Sequence, residues 1–167
     1  MAYKDYTLKA RLTNFSSIKH ALTQLNAVFV GTDHQADYYF KVSKGKLKLR
    51  QGTIENVITH YERKSENGIE KTVVYRYDKN PSVEEIASLR KHASLIGKVE
   101  KERSIYFIEN VKIHLDTMPD GQQFIEIEAI DTANRFTDED LKAQCFGIKS
   151  KLGVKDEDLL TTGYFLK

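Results

Sequence analysis

Cysteine is nearly absent from this 167-residue chain, proline occurs twice, tryptophan not at all, and a large excess of either charge is missing. The lone Cys145 excludes an internal disulfide framework and suits a reducing compartment. With so little proline and no Ser/Gly-rich stretch there is no linker, and no internal repeat is visible, so one domain over residues 1–167 is expected. No apolar run approaches the ~20 residues that span a bilayer, and the opening MAYKDYTLKARL lacks the apolar core of a secretory signal. The expected location is therefore cytoplasmic, with no membrane partner. The balance of 26 basic and 24 acidic residues, a net charge of +2, speaks against nucleic-acid binding by bulk charge.

What is present is alternation. Strands are expected near residues 3–13, 36–43, 46–51, 56–65, 70–79, 98–108, 111–118 and 122–130. Lys44-Gly45 and Asn67-Gly68 supply tight turns between neighbours. Three amphipathic helices interrupt them. The first follows Ser16 or Ser17 as cap, and the second opens on the Ser82/Glu85 capping box and is expected to stop at Gly97. The third runs from Thr137 to Gly153 with three acids in its first turn. Strands that mostly neighbour each other in sequence favour an antiparallel meander.

Side chains on a strand alternate between its two faces. In GKLKLRQG this places Lys46, Lys48 and Arg50 on one face and Leu47 and Leu49 on the other. The same parity groups Asp5, Thr7, Lys9 and Arg11; Tyr61 with Arg63; Lys71 with Val73 and Tyr75; Lys101 with Arg103; Lys112, His114 and Asp116; and Glu126 with Glu128. One such strand alone is best explained by a wet outer face. Taken together, three helices with apolar stripes need the apolar strand faces, and eight strands suffice to close a barrel with no exposed edge. The charged faces then point inward, around a polyanion. The fold class expected is α+β and mainly β: a closed eight-stranded antiparallel barrel, or tunnel, with amphipathic helices packed outside. The competing arrangement is an open sheet whose charged face meets solvent.

The order of these segments resembles the CYTH superfamily, the triphosphate tunnel metalloenzymes, and most closely its class IV adenylyl cyclase branch. The matching stretches are YTLKARL for the family's E-x-E-x-K opening, QADYYFKVSKGKLKLRQG, HYERK with Lys71 beyond it, VEKERSIY for V-x-K-x-R, and NVKIHLDTM leading into FIEIEAI. The resemblance implies triphosphate ligands at Lys9, Arg11, Lys48, Arg50, Arg63, Lys71, Lys101, Arg103 and Lys112. It implies Mg2+ or Mn2+ held by Glu126, Glu128 and Asp116, and direct catalytic parts for Lys9, Arg63 and Asp116. The implied partner is a small triphosphate (ATP, inorganic or thiamine triphosphate), with no nucleic acid, and a homodimer is compatible. The implied reaction is cyclisation of ATP to cyclic AMP and pyrophosphate. The alternatives are a triphosphatase, or a triphosphate-binding module with little turnover, because Thr7 stands where the family has glutamate and cannot serve as an anionic ligand for a hard cation. The ending TTGYFLK and Lys112 in place of arginine are further departures. His114 is read as an orienting or barrel-filling histidine, Cys145 as a core residue, and Lys46 as solvated beside its turn.

Overall fold

The structure, a computed structural model, describes residues 3–160. The strands are β1 (Tyr3–Arg11), β2 (Val28–Phe40), β3 (Lys46–Gly52), β4 (Asn56–Glu66), β5 (Ile69–Lys79), β6 (Leu95–Ile108), β7 (Val111–Thr117), β8 (Gln123–Asp131) and the short β9 (Leu159–Leu160). The helices are α1 (Phe15–Gln24), α2 (Val83–His92) and α3 (Asp138–Leu152), followed by a 3-10 turn at Asp156–Asp158. All pairings are antiparallel in the order β5-β4-β3-β2-β6-β7-β8-β1, and β1 also pairs with β5, which closes the eight into a barrel. Beyond Thr7, which faces the first residues of β5, Lys9 and Ala10 pair with Leu160 and Leu159 of β9. The expected TTGYFLK departure lies outside the described residues.

The outer face of the wall is the hydrophobic core. Tyr6 and Leu8 of β1, Ile113 of β7 and Ile127 of β8 are at most 2% exposed and pack beneath Ile18 and Leu22 of α1 and Leu141, Cys145 and Ile148 of α3. A smaller cluster of Phe40, Leu47, Leu49 and Ile58 lies under Ile86 and Leu89 of α2. Burying each such side chain is worth roughly 1.5–3 kcal/mol. That gain drives the parity: once Leu47 and Leu49 are buried outside, Lys46, Lys48 and Arg50 must face the lumen. Cys145 is a core residue, its thiol 3.2 Å from the Tyr6 carbonyl and pushed up to about 12 by burial.

Several boundaries move. Asn14, not Ser16 or Ser17, caps α1, accepting from the Ser17 N–H at 3.0 Å. α2 ends at His92 rather than Gly97, because Leu95 and Gly97 are already paired with Phe40 and Tyr39 of β2. β2 starts at Val28, well before the expected residue 36, as the partner of the first half of the β6–β7 hairpin. Gly45, at φ +72°, is demanded by close approach: a Cβ there would lie 2.4 Å from the Tyr61 carbonyl.

Candidate active site in the barrel lumen

Lys9 of β1, Lys46, Lys48 and Arg50 of β3, Arg63 of β4, Lys101 and Arg103 of β6 and Lys112 of β7 all project into the barrel. They meet six lumen or wall carboxylates: Asp5, Asp37, Glu55, Asp116, Glu126 and Glu128. Arg50 donates through Nε and Nη2 to both oxygens of Asp37, at 2.8 and 2.9 Å, and Lys101 Nζ reaches Asp37 Oδ2 at 2.6 Å. Burial alone would raise the Asp37 carboxyl, but Arg50, Lys101 and Lys48 hold it well below the usual range. Arg103 makes a matching two-point contact with Asp116, 2.7 Å to each oxygen. Arg63 Nε donates to Thr72 Oγ1 at 3.0 Å while its guanidinium lies over the Tyr61 ring. Burial pushes the Lys9 and Lys101 ammonium groups down to about 8, and moves Lys48 well below its ordinary value with help from Arg50.

The opposite wall is acidic. On β8, Glu126 and Glu128 point inward beside Lys9 and Thr7 of β1. His114 of β7 lies between them, Nδ1 3.4 Å from Glu126 Oε2 and Nε2 3.3 Å from Glu128 Oε1. Both ring nitrogens are buried without hydrogen-bond geometry to either carboxylate. Burial raises both glutamates, yet His114, with Arg103 and Lys9 at Glu126 and with Asp5 at Glu128, keeps them below the usual range. Burial and the charge of Glu128 raise Asp5 well above its own, and Thr7 Oγ1 donates to it at 3.1 Å.

Two expected phosphate ligands are not brought to the lumen. Lys71 faces outward to Asp138 at the start of α3, at 2.9 Å, because its strand is set by Ile69, which is buried beneath the helices, and by Thr72 opposite Arg63. Arg11 has the right parity but is the exposed last residue of β1, lining a cleft between α1 and the end of α3. Asp116, expected to hold a metal, is fully buried with both oxygens taken by Arg103, so it positions Arg103 rather than facing the cavity. Lys46, expected in solvent, is half-buried and lines the lumen.

Asp37 and Glu55 were missed. Asp37 could have been found: in QADYYF it shares the face of Gln35 and Tyr39 on a strand whose neighbour carries Arg50. Glu55 lies in a turn with no periodicity to reveal which way it points.

Among the described residues no group of three or more His, Cys, Asp or Glu side chains is gathered as a metal cage. Glu126 and Glu128 nonetheless fit a hard cation of the magnesium type, which takes few protein carboxylates and fills its other positions with water or phosphate oxygens. Asp116 does not fit.

The profile of the CYTH domain matches residues 4–164. The chain belongs to the CYTH domain family. No curated protein matches it. Among solved structures, the PH1012 protein of Pyrococcus horikoshii OT3 is 27% identical with 96% of each chain covered and a TM-score of 0.78. A proposed adenylate cyclase from Vibrio parahaemolyticus is 15% identical, covering 96% of this chain and 94% of its own, TM-score 0.75. HpAC1 from Hippeastrum, described as having a dominant triphosphatase activity, is 15% identical over 90% and 88% of the two chains, TM-score 0.58. The last two carry the fold likeness alone. Among the described residues no helix is long and apolar enough to cross a membrane.

Proposed function

We propose that this CYTH protein binds a triphosphate in its lumen and cleaves it with the help of Mg2+ or Mn2+, by hydrolysis. The observation that carries the reading is the inward convergence of eight cations in a closed barrel. Phosphoryl transfer depends chiefly on positioning and charge neutralisation, and these residues are suited to both. Arg50 and Arg63 offer planar contacts to phosphate oxygens, Lys9, Lys48, Lys101 and Lys112 offer point charges, and Asp37 and Asp116 fix the guanidinium planes of Arg50 and Arg103. Lys9 and Arg63 take the charge that develops on the transferring group; Asp116 acts through Arg103. Glu126 and Glu128 would hold the divalent ion, which supplies charge neutralisation at the phosphate oxygens when bound. In hydrolysis, water oxygen bonds to the terminal phosphorus as the bridging P–O bond breaks; the electron pair of that bond leaves on the oxygen of diphosphate (of ADP where ATP is the substrate), and the water's proton passes to solvent or to a phosphate oxygen.

Cyclisation of ATP is the second reading. The observation favouring it is the edge-to-face pair of Tyr3 and Tyr77, 5.5 Å between centroids, which borders the lumen and offers an aromatic wall for a base. Product identification decides. Incubation with tripolyphosphate or ATP and Mg2+ or Mn2+ is expected to release orthophosphate; cyclic AMP with pyrophosphate would establish cyclisation; saturable binding without product would leave a binding module.

A further inference from the structure

The turn at residues 53–55, between β3 and β4, is latched onto β2. The fully buried Asp33 carboxylate accepts from Thr53 Oγ1 at 3.0 Å, from the Ile54 N–H at 2.8 Å and from the Glu55 N–H at 2.9 Å. Gly52 leaves room for the latch, since a Cβ there would lie 2.6 Å from Asp33 Oδ1 and 2.7 Å from the Glu55 carbonyl. With its backbone so fixed, Glu55 turns its side chain into the lumen. Its Oε1 accepts from Arg50 Nη1 and from Gln35 Nε2, each at 3.0 Å, and its Oε2 meets Lys112 Nζ. Glu55 thus stands at the end of the barrel where β1 and β4 begin and β3 and β5 end, beside Tyr3 and Tyr77. A guanidinium, an amide and an ammonium converging on two anionic oxygens is also how a phosphate would be received.

We propose that Glu55 is a built-in competitor for the phosphate chain: it occupies the anion position between Arg50 and Lys112 and must swing aside before a triphosphate can fill that end of the lumen. The inference rests on the reading of the lumen as a triphosphate site and adds an affinity-setting residue to it. No direct role in bond cleavage is assigned to Glu55. While it is seated, Arg50 and Lys112 are neutralised within the chain, and a ligand's apparent affinity is reduced by the fraction of molecules in the closed arrangement. The Asp33 latch fixes that fraction by holding the turn against the barrel.

Calorimetric titration of tripolyphosphate into the intact wild-type chain, Glu55→Gln and Asp33→Asn tests this without relying on turnover. Glu55→Gln keeps the shape and removes the charge, and is expected to tighten binding about tenfold if roughly one molecule in ten is open in the wild type. Asp33→Asn weakens the latch while leaving Arg50 and Lys112 intact, and is expected to tighten binding by a smaller factor. It decides alone should Glu55→Gln not melt cooperatively. Binding that appears only in the variants would also support the competitor. If the wild type binds and neither folded variant binds more tightly, the competitor is overturned and the lumen reading survives. If no form binds tripolyphosphate, both fall together.

Discussion

Ion pairs occur on both faces of the barrel wall, and their surroundings differ sharply. Inside, the Arg50 and Asp37 side chains are 9% and 1% exposed; outside, Lys71 and Asp138 are 29% and 32% exposed. The outer group, in which Lys4 and Lys71 share Asp138 and hold its carboxyl near 2, is open enough for solvent to screen it. The inner pairs carry a desolvation cost that hydrophobic replacements would avoid. A wall that keeps so many paired charges in its lumen is therefore poorly explained by stability alone, and the proposed triphosphate would supply the missing reason.

The largest effect should come from breaking an inner pair. Asp37→Ala leaves Arg50 and Lys101 without their shared counterion, and denaturant unfolding should show a loss of about 3–5 kcal/mol. Tripolyphosphate should restore part of that loss, because a ligand that binds only the folded state stabilises it; no recovery would mean that these cations are structural.

Next come changes on the acidic wall. Glu126→Gln with Glu128→Gln should abolish the dependence of turnover on Mg2+ or Mn2+ concentration, checked by a metal titration, while the fold persists. Thr7→Glu adds a carboxylate next to Asp5 and Glu128. It should lower the melting temperature without metal, regain it with Mg2+, and raise metal-dependent turnover; a melting temperature indifferent to Mg2+ would remove position 7 from the metal site.

A smaller effect is expected with pH. Lys101, with its ammonium depressed to about 8 by burial, is charged below that pH and neutral above it. A polyanion favours the charged form, so tripolyphosphate affinity should be highest below about pH 8, decline on passing to pH 9, and be accompanied by proton uptake near the midpoint. Titrations in buffers of different ionisation enthalpy would detect that uptake. The smallest effect belongs to the outer face: Lys71→Ala should cost no more than about 1 kcal/mol and leave turnover unchanged. A large loss of activity would put Lys71 back at the site.

Legibility in the sequence follows the same division. The lumen was readable wherever an apolar partner face fixed the parity, as Leu47 and Leu49 did for Lys48 and Arg50, and as Ile113 and Ile127 did for Lys112 and Glu128. β5 resisted because Val73, Val74 and Tyr75 offer no clean alternation, and because a register shift opposite His60 and Tyr61 brings Tyr77 inward while Tyr75 stays outside. Arg11 failed for another reason: parity says which side a residue faces but not where the tunnel ends. The early part of β2, with Val28, Phe29 and Val30 in succession, carries no alternation to announce a strand. Glu55 was invisible because a turn residue's direction is set by tertiary latches such as Asp33, which local pattern does not encode.

Whether the lumen receives a triphosphate is tested most directly by a crystal structure of the chain with a non-hydrolysable triphosphate analogue and Mn2+. Phosphate density is expected along the lumen, within hydrogen-bonding reach of Arg50 and Arg63, with the anomalous signal of manganese beside Glu126 and Glu128. Phosphates seated on the outer wall, at Arg11 or Lys71, with the lumen holding only water, would contradict that expectation.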